Sequence, residues 1–254
     1  MSESARQWGA LWGNRPRAWA VTEEQQVPVY EDALGTLGIG RGDHVLDVGC
    51  GTGVFLRLCA DRGAAVSGLD ASEGLLAVAR ERVPEGDLRL GDLQSLPFED
   101  GAFDAVTGFT SFFFADDMVA ALREAARVAR PGAPVVAQVF GPPEQCDLEA
   151  VKAAVMAFRP DAEETYWRPG IVEELMPLAG LTVEGAFDST YAYTYPDAEA
   201  LADAMSAAGG AAMVAGPDRE GELRSAIVRA LAHCRQGDGS YLVSNEWHTV
   251  VGRV

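Results

Sequence analysis

Apolar residues recur with two alternating periods along the first 140 residues, and this alternation predicts parallel strands flanked by helices. Short apolar runs are typical of strands buried on both faces, and the segments between them have helical spacing. The predicted strands are 44–48, 65–69, 88–90, 103–109 and 135–140, and the predicted helices are 22–37, 54–62, 73–82 and 117–130. Thr22 is the expected N-cap of the first helix, and Gly38 and Gly40 end it.

The pattern loosens after the glycine-proline stretch 141–143, and the second half predicts helices added over the sheet. The predicted helices are 147–158, 170–179, 197–208 and 218–234, and the predicted strands are 181–195 and 241–251. We expect one α/β domain, residues 1–254, with a doubly wound, mostly parallel seven-stranded sheet and helical insertions after strands 5 and 6. Within it we expect an N-terminal helical lid (1–40), a ligand-binding core (41–141) and the remaining strands with a helical cap (142–254).

Charge narrows the possible partners. The chain has 38 acidic and 20 basic residues, a formal net charge of −18. Nucleic acids and anionic membranes are bound by basic faces, so we expect neither as a partner. We also expect no spanning helix and no secretory signal, because there is no run of ~18 apolar residues and no apolar stretch after a basic start. The four cysteines form no CxxC pair, which predicts reduced thiols in a cytoplasmic protein.

The clearest chemical signal is a glycine-rich turn after the first strand, Val45-Leu46-Asp47-Val48-Gly49-Cys50-Gly51-Thr52-Gly53. Glycines there let the backbone approach a ligand closely, and the amides of the next helix face it. A dinucleotide fingerprint needs a further glycine where Val54 or Leu56 stands, so a nicotinamide or flavin site fits poorly. Asp47 would repel a pyrophosphate and suits a ligand with a positive group.

Two more carboxylates follow the next two strands. Asp70 lies ~20 residues after the turn, the spacing at which a carboxylate accepts the hydroxyls of a ribose. The alternative is that Asp70 or Ser72 caps the helix starting near Glu73. Asp92 can accept a hydrogen bond from an exocyclic adenine amine.

Taken in this order, the motifs resemble class I S-adenosylmethionine-dependent methyltransferases. The resemblance covers residues 25–141 and rests on the glycine turn, Asp70, Gly91 to Leu93 with 96–98, the strand start 103–106 and the segment 124–140. Several spaced motifs that agree are more specific than any one of them. The resemblance implies the Rossmann-like methyltransferase fold and S-adenosylmethionine as the cofactor.

At the methionine end, the resemblance implies that Gly49, Gly51 and Gly53 pass under the cofactor and that Asp47 helps to hold its ammonium. At the adenosine end, it implies that Asp70 binds the ribose hydroxyls and Asp92 the adenine amine. The full set of expected cofactor-binding residues is Tyr30, Asp47, Gly49, Cys50, Gly51, Thr52, Gly53, Asp70, Ala71, Ser72, Asp92, Leu93, Phe109 and Thr110. Among these, Phe109 and Thr110 are expected to face the sulfonium.

Aromatic segments are the candidates for the acceptor pocket. The expected contributors are Trp8, Trp12 and Trp19 with Arg15 and Arg17, the triplet Phe112 to Phe114, and Tyr191, Tyr193 and Tyr195. Aromatic faces attract a sulfonium and hold a flat acceptor, although at least one ring of the triplet is expected in the core. The Asn-Pro-Pro-Tyr signature of the family's nucleic-acid amino methyltransferases is absent, which again disfavours nucleic acid.

No catalytic base is assigned. His44 is expected to be structural or at the surface, His248 to be partly buried, and His233 to lie on a late helix. Asp116 and Asp117 come too late for the metal ligands of catechol-type members and are explained by a helix start, so we expect no metal.

The leading hypothesis is a methyltransferase, monomeric or homodimeric, that moves a methyl group to a small organic acceptor by in-line displacement. Two alternatives keep the fold and the cofactor: a protein that binds the cofactor without transfer, and an enzyme that catalyses a different reaction. A nucleotide-dependent oxidoreductase is a weaker alternative, resting on the strand-turn-helix unit and Asp70.

Overall fold

A computed structural model describes residues 1–158 and 170–254, so the part of the expected cap at 159–169 lies outside the described residues. The seven strands are β1 (His44–Val48), β2 (Ala65–Asp70), β3 (Asp87–Leu90), β4 (Ala105–Phe109), β5 (Pro134–Phe140), β6 (Thr182–Tyr195) and β7 (Tyr241–Arg253). They form one sheet in the order β3-β2-β1-β4-β5-β7-β6, in which β7 alone runs antiparallel to its neighbours. The expected seven-stranded, mostly parallel sheet is therefore confirmed.

Ten helices flank or cover the sheet within the described chain. They are α1 (Glu3–Trp12), α2 (Pro16–Glu23), α3 (Val27–Leu37), α4 (Val54–Asp61), α5 (Glu73–Arg82), α6 (Met118–Val128), α7 (Leu148–Met156), α8 (Ile171–Leu175), α9 (Ala198–Ala207) and α10 (Gly209–Ala230). None of the helices in the described part of the chain has the length and apolar character needed to cross a membrane.

The two faces of the sheet bury separate cores because successive strand residues point to opposite sides. Val45 packs with α3 and α4 on one face, and Leu46 packs with α6 and α8 on the other. A third apolar cluster joins α7, α9 and α10 to the ends of β6 and β7 around the buried Trp247. The strand ends of β1, β2 and β4 are thus held rigidly from both sides.

The expected helix over 22–37 is wrong in its start. Residues 24–26 form a 3-10 turn between α2 and α3, and Pro28 lies in the first turn of α3, where its missing N–H costs nothing. Thr22 is no N-cap: it is buried inside α2, with its hydroxyl 3.4 Å from the Tyr195 hydroxyl. Two other boundaries also shift, since β4 begins at Ala105 and α10 begins at Gly209.

Candidate active site

A glycine turn forms the base of the main cleft, at the carboxyl ends of β1 and β2. Gly49, Gly51 and Gly53 all have positive φ (77°, 55° and 79°), a conformation that side chains with a Cβ adopt at a cost. The amides of Gly49 and Cys50 donate to the Leu69 carbonyl at 2.7 and 3.0 Å, which ties the turn to β2. A Cβ on Gly49 would overlap the Ser111 side chain, so this backbone is as compact as it can be.

Asp47 and Asp70 face this turn from the ends of β1 and β2. Asp47 accepts a hydrogen bond from the Thr107 hydroxyl at 2.7 Å, and burial raises its pKa to about 7. Asp70 accepts the Gly51 amide at 2.9 Å and the Ser72 amide at 2.8 Å, and burial raises its pKa to about 6. We call Asp47, Asp70 and residues 49–53 the floor.

The sequence left open whether the segment at Asp70 and Ser72 lines a ligand site or caps α5, and the structure assigns one role to each residue. Ser72 caps α5, because its hydroxyl accepts the Leu75 amide at 3.2 Å. Asp70 instead fastens the glycine turn and lines the cleft. The capping interpretation therefore holds for Ser72 and leaves the Asp70 carboxylate facing the cavity.

A third buried carboxylate, which the sequence analysis missed, comes from the opposite side. Glu23 is the last residue of α2 and is 4% exposed, and the Thr52 amide donates to its two oxygens at 2.9 and 3.2 Å. Burial raises its pKa to about 7. One signal could have found it: Glu23, Gln26 and Tyr30 have the i, i+3, i+7 spacing of one helical face, and Tyr30 was already expected at the cofactor.

The cleft is closed by the first 26 residues, and we call α1, α2 and the 3-10 turn Glu24–Gln26 the cover. The Trp8 ring lies 4.6 Å from the Phe114 ring, and the Trp12 ring lies 4.7 Å from the Trp19 ring. Gly9 passes so close to the Ala71 carbonyl oxygen that a Cβ at Gly9 would overlap it. The cover therefore supplies aromatic walls and sits directly on the end of β2.

The resulting cavity measures about 740 Å³ when the open space at its mouth is included. Its walls combine a carboxylate-rich base with aromatic sides. They are formed by Trp8, Gly9, Trp12, Trp19, Glu23, Gln26, Tyr30, Asp47, Gly49, Cys50, Gly51, Asp70, Ala71, Leu75, Leu93, Phe109, Thr110, Ser111 and Phe114. Ten of the fourteen residues expected at the cofactor are in this set, and six of its other members belong to the cover.

The remaining expected residues, Thr52, Gly53, Ser72 and Asp92, do not line the cavity, although all but Gly53 directly adjoin a residue that does. Asp92 accepts the Ser2 amide at 2.6 Å and the Gln94 amide at 3.0 Å. Burial would raise the pKa of Asp92, but these hydrogen bonds outweigh it and lower the pKa. In this structure the start of the chain thus occupies the Asp92 carboxylate, which was expected to take the adenine amine.

The segment after β4 is strained where it borders the cavity. Thr110 has φ of +49°, uncommon for a β-branched residue, and strain of this kind clusters at functional sites. The next residue, Ser111, anchors the turn by donating to the Val48 carbonyl at 2.6 Å. In the aromatic triplet, Phe112 is buried in the core, as expected for at least one ring, while Phe114 lines the cavity.

The tyrosines of β6 do not line the cavity, so the expectation that they do is wrong. Tyr193 and Tyr195 are instead buried in the apolar cluster that also contains residues of α9 and α10. Their hydroxyls contact the cover: Gln26 donates to the Tyr193 hydroxyl at 2.9 Å, and the Tyr195 hydroxyl lies 3.4 Å from the Thr22 hydroxyl. These residues position the cover.

Arg15 and Arg17 also lie off the cavity. Arg15 pairs with Asp203 and Glu220 at 3.4 Å each, and Arg17 pairs with Glu81 at 2.7 Å in solvent. Their charges are therefore engaged at the edges of the cover.

The three histidines lie outside the cavity walls. His44 contacts the Ser67 hydroxyl at 2.9 Å at the start of β1. His248 is partly buried between Asp188 and Glu173, at 2.6 and 2.7 Å; burial would lower its pKa, but these hydrogen bonds outweigh it and raise the pKa. His233 is exposed and contacts Asp147 at 2.9 Å, next to Cys234, and this trio is the one group with metal-ligand spacing among the described residues. It joins α7 to the segment after α10 and is remote in sequence from the floor.

S-adenosylmethionine fits the cavity by its chemistry. The floor and Glu23 place three buried carboxylates around a turn whose glycines leave the backbone bare, which suits a ligand carrying hydroxyls and positive charge. Aromatic walls suit an adenine ring and a sulfonium.

Comparisons with known proteins agree with this geometry. A family model described as a methyltransferase domain matches residues 46–137. A malonyl-[acyl-carrier protein] O-methyltransferase from Serratia marcescens is 31% identical over 222 residues, covering 84% of this chain and 82% of that protein. A demethylmenaquinone methyltransferase from Beutenbergia cavernae is 39% identical over 118 residues, 46% of this chain and 49% of that protein. A solved methyltransferase from Aquifex aeolicus shares the fold, with a TM-score of 0.54 at 16% identity over 89% of each chain.

Proposed function

The chain belongs to the class I S-adenosylmethionine-dependent methyltransferases, and we propose that it transfers a methyl group from S-adenosylmethionine to a small organic acceptor without a metal. The observation that carries this proposal is the joint placement of the glycine turn, Asp47 and Asp70 in one aromatic-walled cavity. By their names, the relatives above act on malonyl-[acyl-carrier protein] and on demethylmenaquinone, which supports a diffusible or carrier-borne organic acceptor.

The floor is proposed to hold the cofactor. Asp70 accepts the ribose hydroxyls, and the bare backbone at Gly49 and Gly51 passes under the methionine part. When bound, S-adenosylmethionine supplies an activated methyl group on a sulfonium. The protein then has to align the acceptor with this methyl group and exclude water. We infer that the strained Thr110, which lines the cavity, lies beside the sulfonium.

The acceptor is proposed to enter between the cover and the segment after β4. Trp8, Trp12 and Phe114 make this side of the cavity apolar and aromatic, which favours a flat or apolar acceptor. The net charge of −18 disfavours nucleic acid, because no counterion release would drive its binding.

The test is calorimetric titration of the protein with S-adenosylmethionine, S-adenosylhomocysteine and a nicotinamide dinucleotide. We expect micromolar binding of the first two and none of the third. Methyl transfer to a panel of small aromatic, quinone and carboxylate acceptors is then measured with and without a metal chelator, which should leave the rate unchanged. Failure to bind either adenosyl compound would sink the cofactor assignment, and tight binding with no transfer to any acceptor would favour a non-methylating role.

A further inference from the structure

Glu23 joins the cover to the floor, and it is a buried carboxylate without a matching cation. Its oxygens lie over Gly51: a Cβ on that glycine would meet both at 2.9 Å. The hydrogen bonds it receives come from Thr52. Within residues 1–158 and 170–254, no arginine or lysine forms an ion pair with Glu23. The nearby Arg82 pairs with Glu24 instead.

Arg82 is close enough to interact electrostatically with Glu23, but the hydrogen bonds that Arg82 donates go to other residues. It donates to the Thr52 carbonyl at 2.8 Å and hydroxyl at 2.5 Å, and to the exposed Glu24 at 2.6 Å. A buried carboxylate that lacks a direct cation carries a large desolvation cost. The fold keeps Glu23 there, on the wall of the cavity, which points to a ligand that completes its partners.

The neighbouring carboxylates specify the charge of that ligand. Asp47 and Asp70 lie close enough for the charge of Glu23 to raise the pKa of Asp47, so the three repel one another when ionised. A cation placed among them would relieve that repulsion. An ammonium offers three donors, and one carboxylate oxygen of Asp47 already accepts from Thr107.

We propose that Glu23 binds the ammonium group of the methionine part of the cofactor, together with Asp47, so that the cover is part of the cofactor site. This proposal rests on the proposed function above. A sulfonium has no N–H to donate, and the aromatic walls suit it better than a hydrogen-bonding carboxylate does. Glu23 is thereby a ligand of the cofactor, and docking of α2 is coupled to cofactor binding.

The experiment compares Glu23→Gln with the wild type by calorimetric titration of three compounds. S-adenosylmethionine and S-adenosylhomocysteine both carry the ammonium, whereas 5′-methylthioadenosine keeps the adenosine and the thioether but lacks the amino acid. We expect Glu23→Gln to bind the first two about 10-fold or more weakly, as for loss of a charge-assisted hydrogen bond, and to bind methylthioadenosine as the wild type does.

Glu31→Gln is the matched control. It removes the same charge from neighbouring α3, where Glu31 pairs with Arg62 at the surface, and we expect its affinities to equal those of the wild type. Thermal unfolding checks the fold: Glu23→Gln is expected to be at least as stable as the wild type above pH 7, because a buried charge is removed and the amide oxygen can still accept from Thr52.

Each other result has a distinct meaning. Unchanged affinity of Glu23→Gln for both adenosyl amino acids overturns this inference and leaves the proposed function intact. Weakening for S-adenosylmethionine alone also overturns it, because the partner would then be the sulfonium, and equal weakening for methylthioadenosine would show a general loss of the cavity. A wild type that binds none of the three removes the proposed function itself.

Discussion

The floor and the cover border the same cavity but are built in different ways. The floor consists of strand ends and a turn whose positions are fixed by backbone hydrogen bonds, such as those of Gly49 and Cys50 to Leu69. The cover consists of helices held by side chains, through aromatic contacts of Trp8 and Trp12 with Phe114 and a hydrogen bond from Gln26 to Tyr193.

Because the two parts are built differently, we expect cofactor binding to reside in the floor and acceptor selection in the cover. A turn fixed between parallel strands is preorganised and pays little to bind, so it suits the constant partner, the cofactor. Helices docked through side chains can vary their residues without disturbing the sheet, so they suit the acceptor. Glu23 is the exception, since it brings a charge from the cover to the floor.

Among substitutions in the floor, we expect one at Gly51 to weaken cofactor binding most. Gly51→Val places a branched side chain at φ +55° and against the Glu23 carboxylate, and we expect cofactor affinity to fall by ~100-fold or more. Gly38→Val is the control, because Gly38 has a similar φ of +65° with open space around a Cβ and lies outside the cavity. Calorimetry should show normal binding for Gly38→Val at a comparable loss of thermal stability. Normal binding by both variants would contradict the placement of the cofactor over this turn.

Asp70→Ala tests the floor through a side chain. It removes the acceptor of the Gly51 and Ser72 amides along with the proposed ribose ligand, so we expect cofactor affinity to fall by roughly 30-fold. Circular dichroism should show an unchanged fold. Adenosine is the diagnostic compound. If Asp70 binds the ribose, Asp70→Ala must weaken the binding of adenosine as strongly as the binding of the full cofactor.

The pH dependence tests whether floor and cover act as one charged site. The pKa values of Glu23 and Asp47 rise to about 7 and that of Asp70 to about 6, so the folded apoprotein retains protons that the unfolded chain loses above about pH 4. These groups therefore reduce stability as pH rises from about 4 to 7. A cationic ligand favours their ionised forms, so its affinity should increase on the order of 10-fold from pH 5.5 to pH 7.

Calorimetry in two buffers of different ionisation enthalpy measures this directly, because binding should release protons near pH 6.5. Glu23→Gln should release fewer protons than the wild type. Affinity that is flat across this range would show that the three carboxylates do not face the bound positive charge.

A weaker loss of cofactor affinity is expected when only the seating of the cover on the end of β2 is disturbed. Gly9→Ala cannot keep α1 seated, because its Cβ would overlap the Ala71 carbonyl oxygen, and we expect ~5-fold weaker cofactor binding with altered Trp8 fluorescence. Gly35→Ala in α3 is the control: nothing lies within 4 Å of its Cβ, so it should only gain ~0.5–1 kcal/mol of helix stability. An unchanged emission spectrum in Gly9→Ala would contradict the close seating of α1.

The floor could be predicted from sequence because its signals are local. A buried strand, a run of spaced glycines and a following Asp70 specify one arrangement, and parallel strand order brings their ends together. Cover contacts depend on distant residues, so sequence periodicity could not supply them. Pro28 divided the expected helix, Tyr193 and Tyr195 turned to support the cover, and Glu23 looked like an ordinary polar helix residue until α2 was placed against Thr52.

Two buried thiols make the opening of the cleft measurable by covalent labelling. Cys50 lines the cavity at 3% exposed, whereas Cys59 lies on α4 in the core at 0%. Burial raises the pKa of both, so each reacts slowly with an alkylating reagent until its surroundings open. Modification of Cys50 therefore reports how often the cover lifts, and modification of Cys59 reports how often the domain unfolds. Mass spectrometry of the two peptides would time both events in a single sample, without a probe attached to the protein.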